Sequence, residues 1–258
     1  METKEIILEN IKLGDIFQIG EHYLIYGDST KKEHLEKVLI NKRIKSIITD
    51  VPYGIDYVKS KKGFYKNPTE HKSIENDEIQ TDEKYRDFMC DWIEVIKNYL
   101  EDKNTYYIFN SDKMIFTLKE ALEKQKFKLS QLLIWVKNGG VIGRLNYLPQ
   151  HELIAYGWYK KHEFLRSKGK TILSYPKPGK NTIHPTMKPI SLLRELILNS
   201  TYIGEYIYDP FLGSGSTMVA CEQTKRKCVG VEFEKEYIIK IIERMEKVFS
   251  IKAYKLEL

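Results

Sequence analysis

The spacing of apolar and polar residues divides the chain into alternating strand-like and helix-like segments. Short apolar runs bounded by turn residues predict strands, whereas apolar residues at three- and four-residue spacing predict helices. The predicted strands cover residues 16–19, 23–26, 44–49, 105–109, 132–136, 152–158, 205–208 and 228–231. The predicted helices cover residues 31–42, 82–100, 113–126, 188–200, 216–225 and 235–248.

The order of these segments predicts the fold. Strands that alternate with helices form a mostly parallel sheet with helices on both faces. The first two strands flank the turn Gly20-Glu21-His22 and should form a hairpin. Strands 132–136 and 152–158 have no helix between them, which favours an antiparallel pair at one edge. We therefore predict an α/β, doubly wound, mostly parallel sheet with an antiparallel edge, in a single domain over residues 1–258.

Two segments show no regular spacing of apolar residues. Residues 58–80 are polar and rich in lysine, and loops of that length inside a compact domain are usually functional. Residues 138–182 contain a second basic region that includes Lys137 at its border and Arg144. A solvated lysine-rich loop explains the first segment about as well as one that follows phosphates. If the partner is nucleic acid, we expect the first segment to be a DNA-contacting loop and the second a target-recognition insertion. The side chains expected to meet phosphate are Lys59, Lys61, Lys62, Lys66 and Arg144.

Composition restricts the class of protein without deciding it. Hydrophobic residues make up 42% of the chain, enough for an ordinary core, and the net charge is +6. That charge suits nucleic acid, but a solvated lysine-rich surface explains it about as well. No apolar run reaches the roughly 18 residues of a membrane span, and the polar N-terminus lacks a signal core. The chain has three cysteines, an odd number, and without a secretion signal this favours the reducing cytoplasm. Neither the cysteines nor the histidines have metal-ligand spacing, so no metal site is predicted.

The segment after strand 205–208 has the features of a cofactor site. Asp209 ends the strand, Gly213 and Gly215 permit a tight turn, and a helix follows whose free N–H groups favour polar ligand atoms. Glu232 ends the next strand, where an acid receives ribose hydroxyls. The three-glycine pyrophosphate fingerprint and the P-loop lysine are both missing. These features favour a nucleoside cofactor without a pyrophosphate.

The turn after strand 44–49 has the features of a site for a planar amine. Asp50 offers a carboxylate acceptor, a peptide carbonyl that points out of the turn offers a second acceptor, and Tyr53 offers a flat face beside Pro52. Two acceptors would hold both hydrogens of an exocyclic amine and aim its lone pair. Read alone, the run from Asp50 to Gly54 is more typical of a plain turn, because aspartate, proline and glycine dominate turns.

Taken together, the motifs resemble those of the S-adenosylmethionine-dependent DNA amino-methyltransferases. Asp50-Val51-Pro52-Tyr53 matches the catalytic Asp/Asn/Ser-Pro-Pro-Tyr/Phe motif, and the run from Asp209 to Thr217 matches the cofactor motif. His184-Pro185-Thr186-Met187-Lys188-Pro189 matches a third element residue for residue. The catalytic motif precedes the cofactor motif, which resembles the β class, a circularly permuted order on a Rossmann-like sheet.

The resemblance implies a cofactor and its contacts. S-adenosyl-L-methionine would be the methyl donor, with His184 and Lys188 closing the methionine end of its site. The residues implied to bind it are Asp28, His184, Lys188, Asp209, Phe211, Gly213, Gly215, Ser216, Thr217 and Glu232. Asp50, Val51, Pro52 and Tyr53 would be the catalytic residues.

The implied reaction is site-specific methylation of adenine N6 in double-stranded DNA by base flipping. Cytosine N4 is the alternative, and aspartate at position 50 favours adenine. Val51 replaces the first proline of the usual pair, so a catalytically weakened DNA-binding homologue is a second alternative, and an RNA or small-molecule methyltransferase is a third. A cognate restriction endonuclease, a monomer or a homodimer, and a bacterial or phage-encoded, nucleoid-associated protein are all compatible with the resemblance.

Overall fold

A computed structural model describes residues 3–4, 10–52, 81–139, 146–166, 169–177 and 187–257. These residues form one twelve-stranded sheet covered by six α-helices. Within the same ranges, no helix is long and apolar enough to cross a bilayer.

The strands and helices have the following bounds. The strands are β1 Thr3–Lys4, β2 Ile16–Ile19, β3 His22–Tyr26, β4 Ile44–Asp50, β5 Leu100–Asn110, β6 Phe127–Val136, β7 His151–Tyr159, β8 Lys161–His162, β9 Ile172–Ser174, β10 Tyr206–Asp209, β11 Lys227–Glu232 and β12 Ala253–Leu256. The helices are α1 Lys32–Leu39, α2 Asp82–Lys97, α3 Ile115–Lys124, α4 Ile190–Ser200, α5 Ser216–Gln223 and α6 Lys235–Phe249.

Five parallel strands form the centre of the sheet. The strand order is β1-β12-β2-β3-β11-β10-β4-β5-β7-β6-β9, with β8 beside β5. The pairs from β3 through β11, β10 and β4 to β5 are all parallel. Each central strand contains a buried apolar stretch, such as Ile47–Ile48 in β4 and Tyr106–Phe109 in β5, as expected for strands covered on both faces. The predicted doubly wound, mostly parallel sheet is confirmed.

Antiparallel strands extend the sheet on both sides. β7 pairs antiparallel with both β5 and β6, which confirms the predicted edge. On the other side β2 and β3 form the predicted hairpin, and β12 adds to β2. The sequence did not reveal β9 or β12, because each is short and mixes apolar with polar residues, Ile-Leu-Ser and Ala-Tyr-Lys-Leu, without flanking turn signals that stand out. β7 lies inside the sheet between β5 and β6, so His151–Tyr159 of the predicted insertion 138–182 belong to the fold itself.

The two faces of the sheet carry separate cores. Leu35 of α1, Trp92 of α2 and Leu118 of α3 belong to one core. The other core contains residues of the remaining three helices, namely Leu193, Met218 and Ile241. Each face is therefore closed by three helices.

The connections reverse direction between β4 and β10. From β4 the chain passes through α2 to β5 on one side, and from β10 it passes through α5 to β11 on the other. β4 and β10 are neighbours and run parallel. Such a switch point opens a crevice at the carboxyl ends of the strands, and ligands of open α/β sheets bind there.

Gly157 tests the packing of the antiparallel side. A Cβ atom at this position in β7 would lie 1.9 Å from the carbonyl oxygen of Lys128 and 2.6 Å from the hydroxyl of Tyr106. That hydroxyl donates a 3.0 Å hydrogen bond to the same carbonyl. Gly157→Ala should therefore lower the free energy of unfolding in urea by about 1–3 kcal/mol. Gly139→Ala, where a Cβ meets nothing within 4 Å, is the matched control, and equal stability of the two variants would contradict the packing described.

Candidate active site

Acidic side chains lie at the carboxyl ends of neighbouring parallel strands. β4 ends at Asp50, β10 at Asp209 and β11 at Glu232. Tyr208 pairs with Ile47, and Asp209 pairs with Gly230. Asp50 and Glu232 therefore each extend two residues beyond Asp209, about 7 Å at the rise of a strand. Asp209 therefore lies deepest in the crevice, and Asp50 and Glu232 lie on either side of it, nearer the opening. We call these three acids the cradle.

The glycine turn after β10 has the backbone that the sequence predicted. Gly213 and Gly215 have φ angles of 53° and 75°, in the left-handed region. A Cβ on Gly215 would also lie 3.0 Å from a side-chain atom of Ile241. Helix α5 begins directly after the turn, at Ser216, so its first N–H groups open toward the crevice. Ser216 and Thr217 are both buried.

Glu232 joins the two strand ends of the cofactor half. One carboxylate oxygen accepts from the amide of Gly213 at 2.7 Å, and the other accepts from the amide of Glu234 at 2.7 Å. Burial raises the pKa of Glu232 to about 7. A carboxylate has roughly four lone-pair positions, so these two bonds leave capacity for hydroxyl donors. This arrangement fits the ribose of a nucleoside.

Asp209 is the most deeply placed acid of the cradle. Its side chain is buried, and burial raises its pKa to about 6, although a hydrogen bond from Thr217 opposes the shift. The amide of Phe211 donates to its carboxylate at 3.2 Å. The ring of Phe211 lies edge-on to Trp92 of α2, with centroids 6.0 Å apart, which ties the turn to the first core.

Asp28 has a visible structural role beside its implied cofactor role. Its carboxylate accepts from the amide and the hydroxyl of Thr30, at 2.9 and 2.8 Å, which shapes the turn into α1. The amide of Gly27 donates to the carbonyl of Glu232 at 3.0 Å. Asp28 therefore follows β3 at the same edge of the sheet as Glu232.

The catalytic turn is described as far as Pro52. Asp50 ends β4, and the side chain of Val51 is 2% exposed and belongs to the first core. Valine therefore replaces proline with an apolar side chain that is used in packing, and it keeps the backbone carbonyl. Tyr53, His184, Arg144 and the loop lysines Lys59, Lys61, Lys62 and Lys66 lie outside the described residues.

Lys188 contacts the catalytic half of the site. Its ammonium forms an ion pair with Asp50 and lies 3.2 Å from a carboxylate oxygen of Glu152. Burial by itself would lower the pKa of Lys188, but the two carboxylates outweigh burial and raise it. The resemblance implies that Lys188 contacts the cofactor. In the structure its ammonium forms an ion pair with Asp50.

Sequence reasoning missed three side chains that support the site. Glu152, the second residue of β7, and Lys137, directly after β6, form an ion pair of 2.6 Å. Lys137 is 7% exposed, so the structure removes it from the surface basic region in which the sequence placed it. Arg244 of α6 donates to the carbonyl of Ser214 in the glycine turn at 2.7 Å. A lone acid beside an apolar strand was the available signal for Glu152, but it is also typical of an ordinary strand end.

The fold and the described part of the site define a class of protein: an α/β sheet in which Asp50, Asp209 and Glu232 end neighbouring parallel strands at the switch point, with the Asp50 turn ahead of the glycine turn in the chain. A family model described as "N6_N4_Mtase: DNA methylase" matches residues 44–244. The chain belongs to this DNA methylase family. The expected family and its cofactor, S-adenosylmethionine, are confirmed.

Relatives and solved structures agree with this family. The chain is 27% identical over 271 residues to the type II methyltransferase M2.LlaDCHI of Lactococcus lactis subsp. cremoris, covering 93% of this chain and 97% of the relative. The M1.HpyAVI–SAM complex superposes with a TM-score of 0.66 at 23% identity, covering 86% and 98% of the two chains. The cytosine-N4-specific PvuII methyltransferase superposes with a TM-score of 0.67 at 13% identity, covering 90% and 92%. At these identities the solved structures show a shared fold.

The raised pKa of Glu232 predicts how cofactor affinity depends on pH. Ribose hydroxyls donate hydrogen bonds, and an ionised carboxylate is the stronger acceptor. A pKa of about 7 means that the side chain becomes protonated as the pH falls below neutrality. Affinity for S-adenosylmethionine, measured by calorimetry, should therefore decrease below neutral pH, by up to about tenfold per pH unit.

The control for this prediction is Glu232→Gln. It should bind the cofactor more weakly and lose most of the pH dependence, while Asp209, with a pKa of about 6, accounts for the remainder at the acid end. An affinity for the wild type that is flat through neutral pH would contradict the role of Glu232.

Proposed function

We propose that the protein is a site-specific DNA adenine methyltransferase that methylates N6 after flipping the target base out of double-stranded DNA. The position of Asp50 carries this proposal. Asp50 and Asp209 end neighbouring parallel strands at the switch point, so an amine held by Asp50 lies beside the cofactor half.

The cofactor half fits S-adenosylmethionine through its acids and its turn. Glu232 would accept from the ribose hydroxyls, and the turn of Gly213 and Gly215 would let the ligand approach the backbone. When bound, S-adenosylmethionine supplies a methyl carbon that the amine nitrogen attacks with its lone pair, as the bond from that carbon to sulfur breaks and sulfur keeps the electron pair.

Asp50 and the carbonyl of Val51 would receive the two hydrogens of the target amine. Holding both hydrogens frees the nitrogen lone pair from conjugation with the base and aims it. Asp50 acts as an acceptor and need not be a strong base, because the amine proton becomes acidic only after methyl transfer. The ion pair with Lys188 suits this role, since an adjacent ammonium favours the ionised form of a carboxylate.

Base flipping follows from the depth of the site. The cradle lies at the strand ends of a sheet covered on both faces, and an amine inside a duplex cannot reach it. Extrusion of a base costs a few kcal/mol. Stacking on Tyr53 would return on the order of 1–3 kcal/mol of that cost.

Adenine is preferred over cytosine on the identity of residue 50. Cytosine enzymes more often resemble Ser-Pro-Pro-Tyr, and this chain has Asp50. The structural similarity to the cytosine-N4-specific PvuII enzyme does not decide the base, because the fold is shared. Nucleoside analysis of DNA after labelled methyl transfer separates N6-methyladenine from N4-methylcytosine.

The competing proposal is a catalytically weakened homologue. It is suggested by Val51, which stands where the family motif has its first proline. Burial of Val51 in the first core argues against a loosened turn, because the side chain is held by packing.

Relatives named as type II methyltransferases lead us to propose that the enzyme works in a bacterial restriction-modification system, beside a cognate endonuclease. A cytoplasmic location and a monomeric or homodimeric state belong to the same proposal.

Asp50→Ala tests the proposed function. The variant should lose turnover by at least about 10²-fold, because the amine loses its charged acceptor. Cofactor affinity should change little, since Glu152 still pairs with Lys188, whereas the Tm should fall because Glu152 then balances two ammoniums. Asp112→Ala, an exposed acid that follows β5 at the same edge, is the control and should keep full activity. Wild-type turnover in Asp50→Ala would show that this turn is not catalytic.

The loop lysines test the DNA interface. Replacing Lys59, Lys61 and Lys62 with glutamine should weaken DNA binding and flatten its salt dependence, by somewhat under one unit of slope for each phosphate that is no longer neutralised. A control with the same change in net charge replaces exposed helix lysines, namely Lys119, Lys124 and Lys247. Equal slopes for the two triple variants in fluorescence anisotropy would show that the loop does not meet phosphate.

A further inference from the structure

A row of four alternating charges leads away from Asp50. The Lys188 ammonium bridges Asp50 and Glu152, and the Lys137 ammonium lies 2.6 Å from the other oxygen of Glu152. The side chains of Lys188 and Lys137 are 7% and 8% exposed. Two carboxylates and two ammoniums cancel, so the row is electrically balanced although it is largely removed from water.

The row crosses four strands at the edge that carries the active site. Asp50 ends β4, Glu152 begins β7 and Lys137 follows β6, while Lys188 precedes α4. Because β7 is antiparallel, its amino end lies at the same edge as the carboxyl ends of its neighbours. The ring of Phe109 in β5, between β4 and β7, lies 5.3 Å from the Lys188 ammonium and fills the space below it.

We propose that Glu152 is a positioning residue for methyl transfer, which holds Lys188 against Asp50 so that this carboxylate stays ionised and oriented toward the target amine. The inference rests on the proposed catalytic role of Asp50. A lysine has a flexible four-carbon stem and three donors. With one partner its ammonium can swing, whereas two carboxylates on different strands fix its direction.

Lys137 links the charge row to the two ends of segment 138–150. The amide of Lys137 donates to the carbonyl of Gln150 at 2.8 Å, and the Gln150 side chain donates to the carbonyl of Lys137 at 3.2 Å. These bonds close the segment that we expect to contribute to target recognition. The same residue that closes it holds Glu152, so the charge row connects this segment to Asp50.

A purely structural role makes different predictions. Loss of Glu152 lowers stability in either case, because a buried lysine loses a partner. If Glu152 only neutralised that lysine, its loss would also disturb cofactor binding and leave the pH profile of the chemical step unchanged. A positioning residue instead changes the rate of the chemical step and its pH profile. Glu152→Gln separates the two, because it keeps the shape of the side chain and removes its charge.

Glu152→Gln should lower kcat for single-turnover methyl transfer to unmethylated DNA by on the order of 10²-fold. Its Kd for S-adenosylmethionine should stay at the wild-type value. Its Tm should fall, because Lys137 and Lys188 are left with the carboxylate of Asp50 alone. The alkaline limb of the kcat profile should move to lower pH. The reason is that Asp50 and Glu152 together raise the pKa of Lys188, and the variant keeps only one of them.

Glu163→Gln is a matched control at the opposite end of the sheet. Glu163 also pairs with a buried lysine, Lys45, whose side chain is 4% exposed, and its own exposure of 22% is close to the 19% of Glu152. It should leave kcat and the pH profile unchanged. Glu152→Asp, which restores the charge, should recover part of kcat and keep the wild-type alkaline limb.

Two results would overturn the inference. One is wild-type kcat in Glu152→Gln, and the other is a fall in kcat accompanied by weaker cofactor binding. Both are distinct from failure of the proposed function, in which Asp50→Ala itself retains activity. Loss of activity in Asp50→Ala with none in Glu152→Gln would reject the positioning role alone.

Discussion

The parallel pairing of β4 with β10 is the constraint on which the site depends. This pair joins the two halves of the sheet at the point where the connections reverse, so the crevice at its carboxyl end is open. The register places Asp209 two residues short of both Asp50 and Glu232. A shift of that register by one residue would turn every side chain of the slipped strand to the other face and destroy the cradle.

The two halves of the site treat their carboxylates in opposite ways. In the cofactor half, Asp209 and Glu232 accept from backbone amides, and burial raises their pKa values to about 6 and about 7. In the catalytic half, burial alone would raise the pKa of Glu152, but Lys188 and Lys137 lower it to about 2. The carboxylates of Asp209 and Glu232 can therefore gain hydrogen-bond donors from a bound ligand. The carboxylate of Glu152 is already paired with the ammoniums of Lys137 and Lys188 in the protein without substrate.

Charge balance also explains why a buried ionic row is tolerable beside a catalytic turn. A buried pair seldom adds stability compared with apolar packing, but removing one partner is costly because the other stays uncompensated. Lys45 with Glu101, Glu163 and Glu205 repeats the arrangement at the amino end of β4. That cluster lies away from the crevice, so only the row on Asp50 is placed to influence chemistry.

The sequence by itself determined the α/β class, the hairpin of β2 and β3, the acids at the strand ends and the glycine turn, because each depends on local periodicity or on backbone geometry over a few residues. Only the tertiary structure decided the partners of Asp50. Lys137, Glu152 and Lys188 are separated along the chain by a strand, loops and the approach to α4, and they meet because β7 enters the sheet between β5 and β6. Ion pairs between residues so distant in sequence leave no periodic pattern, which is why Lys137 looked like a surface charge until its burial was seen.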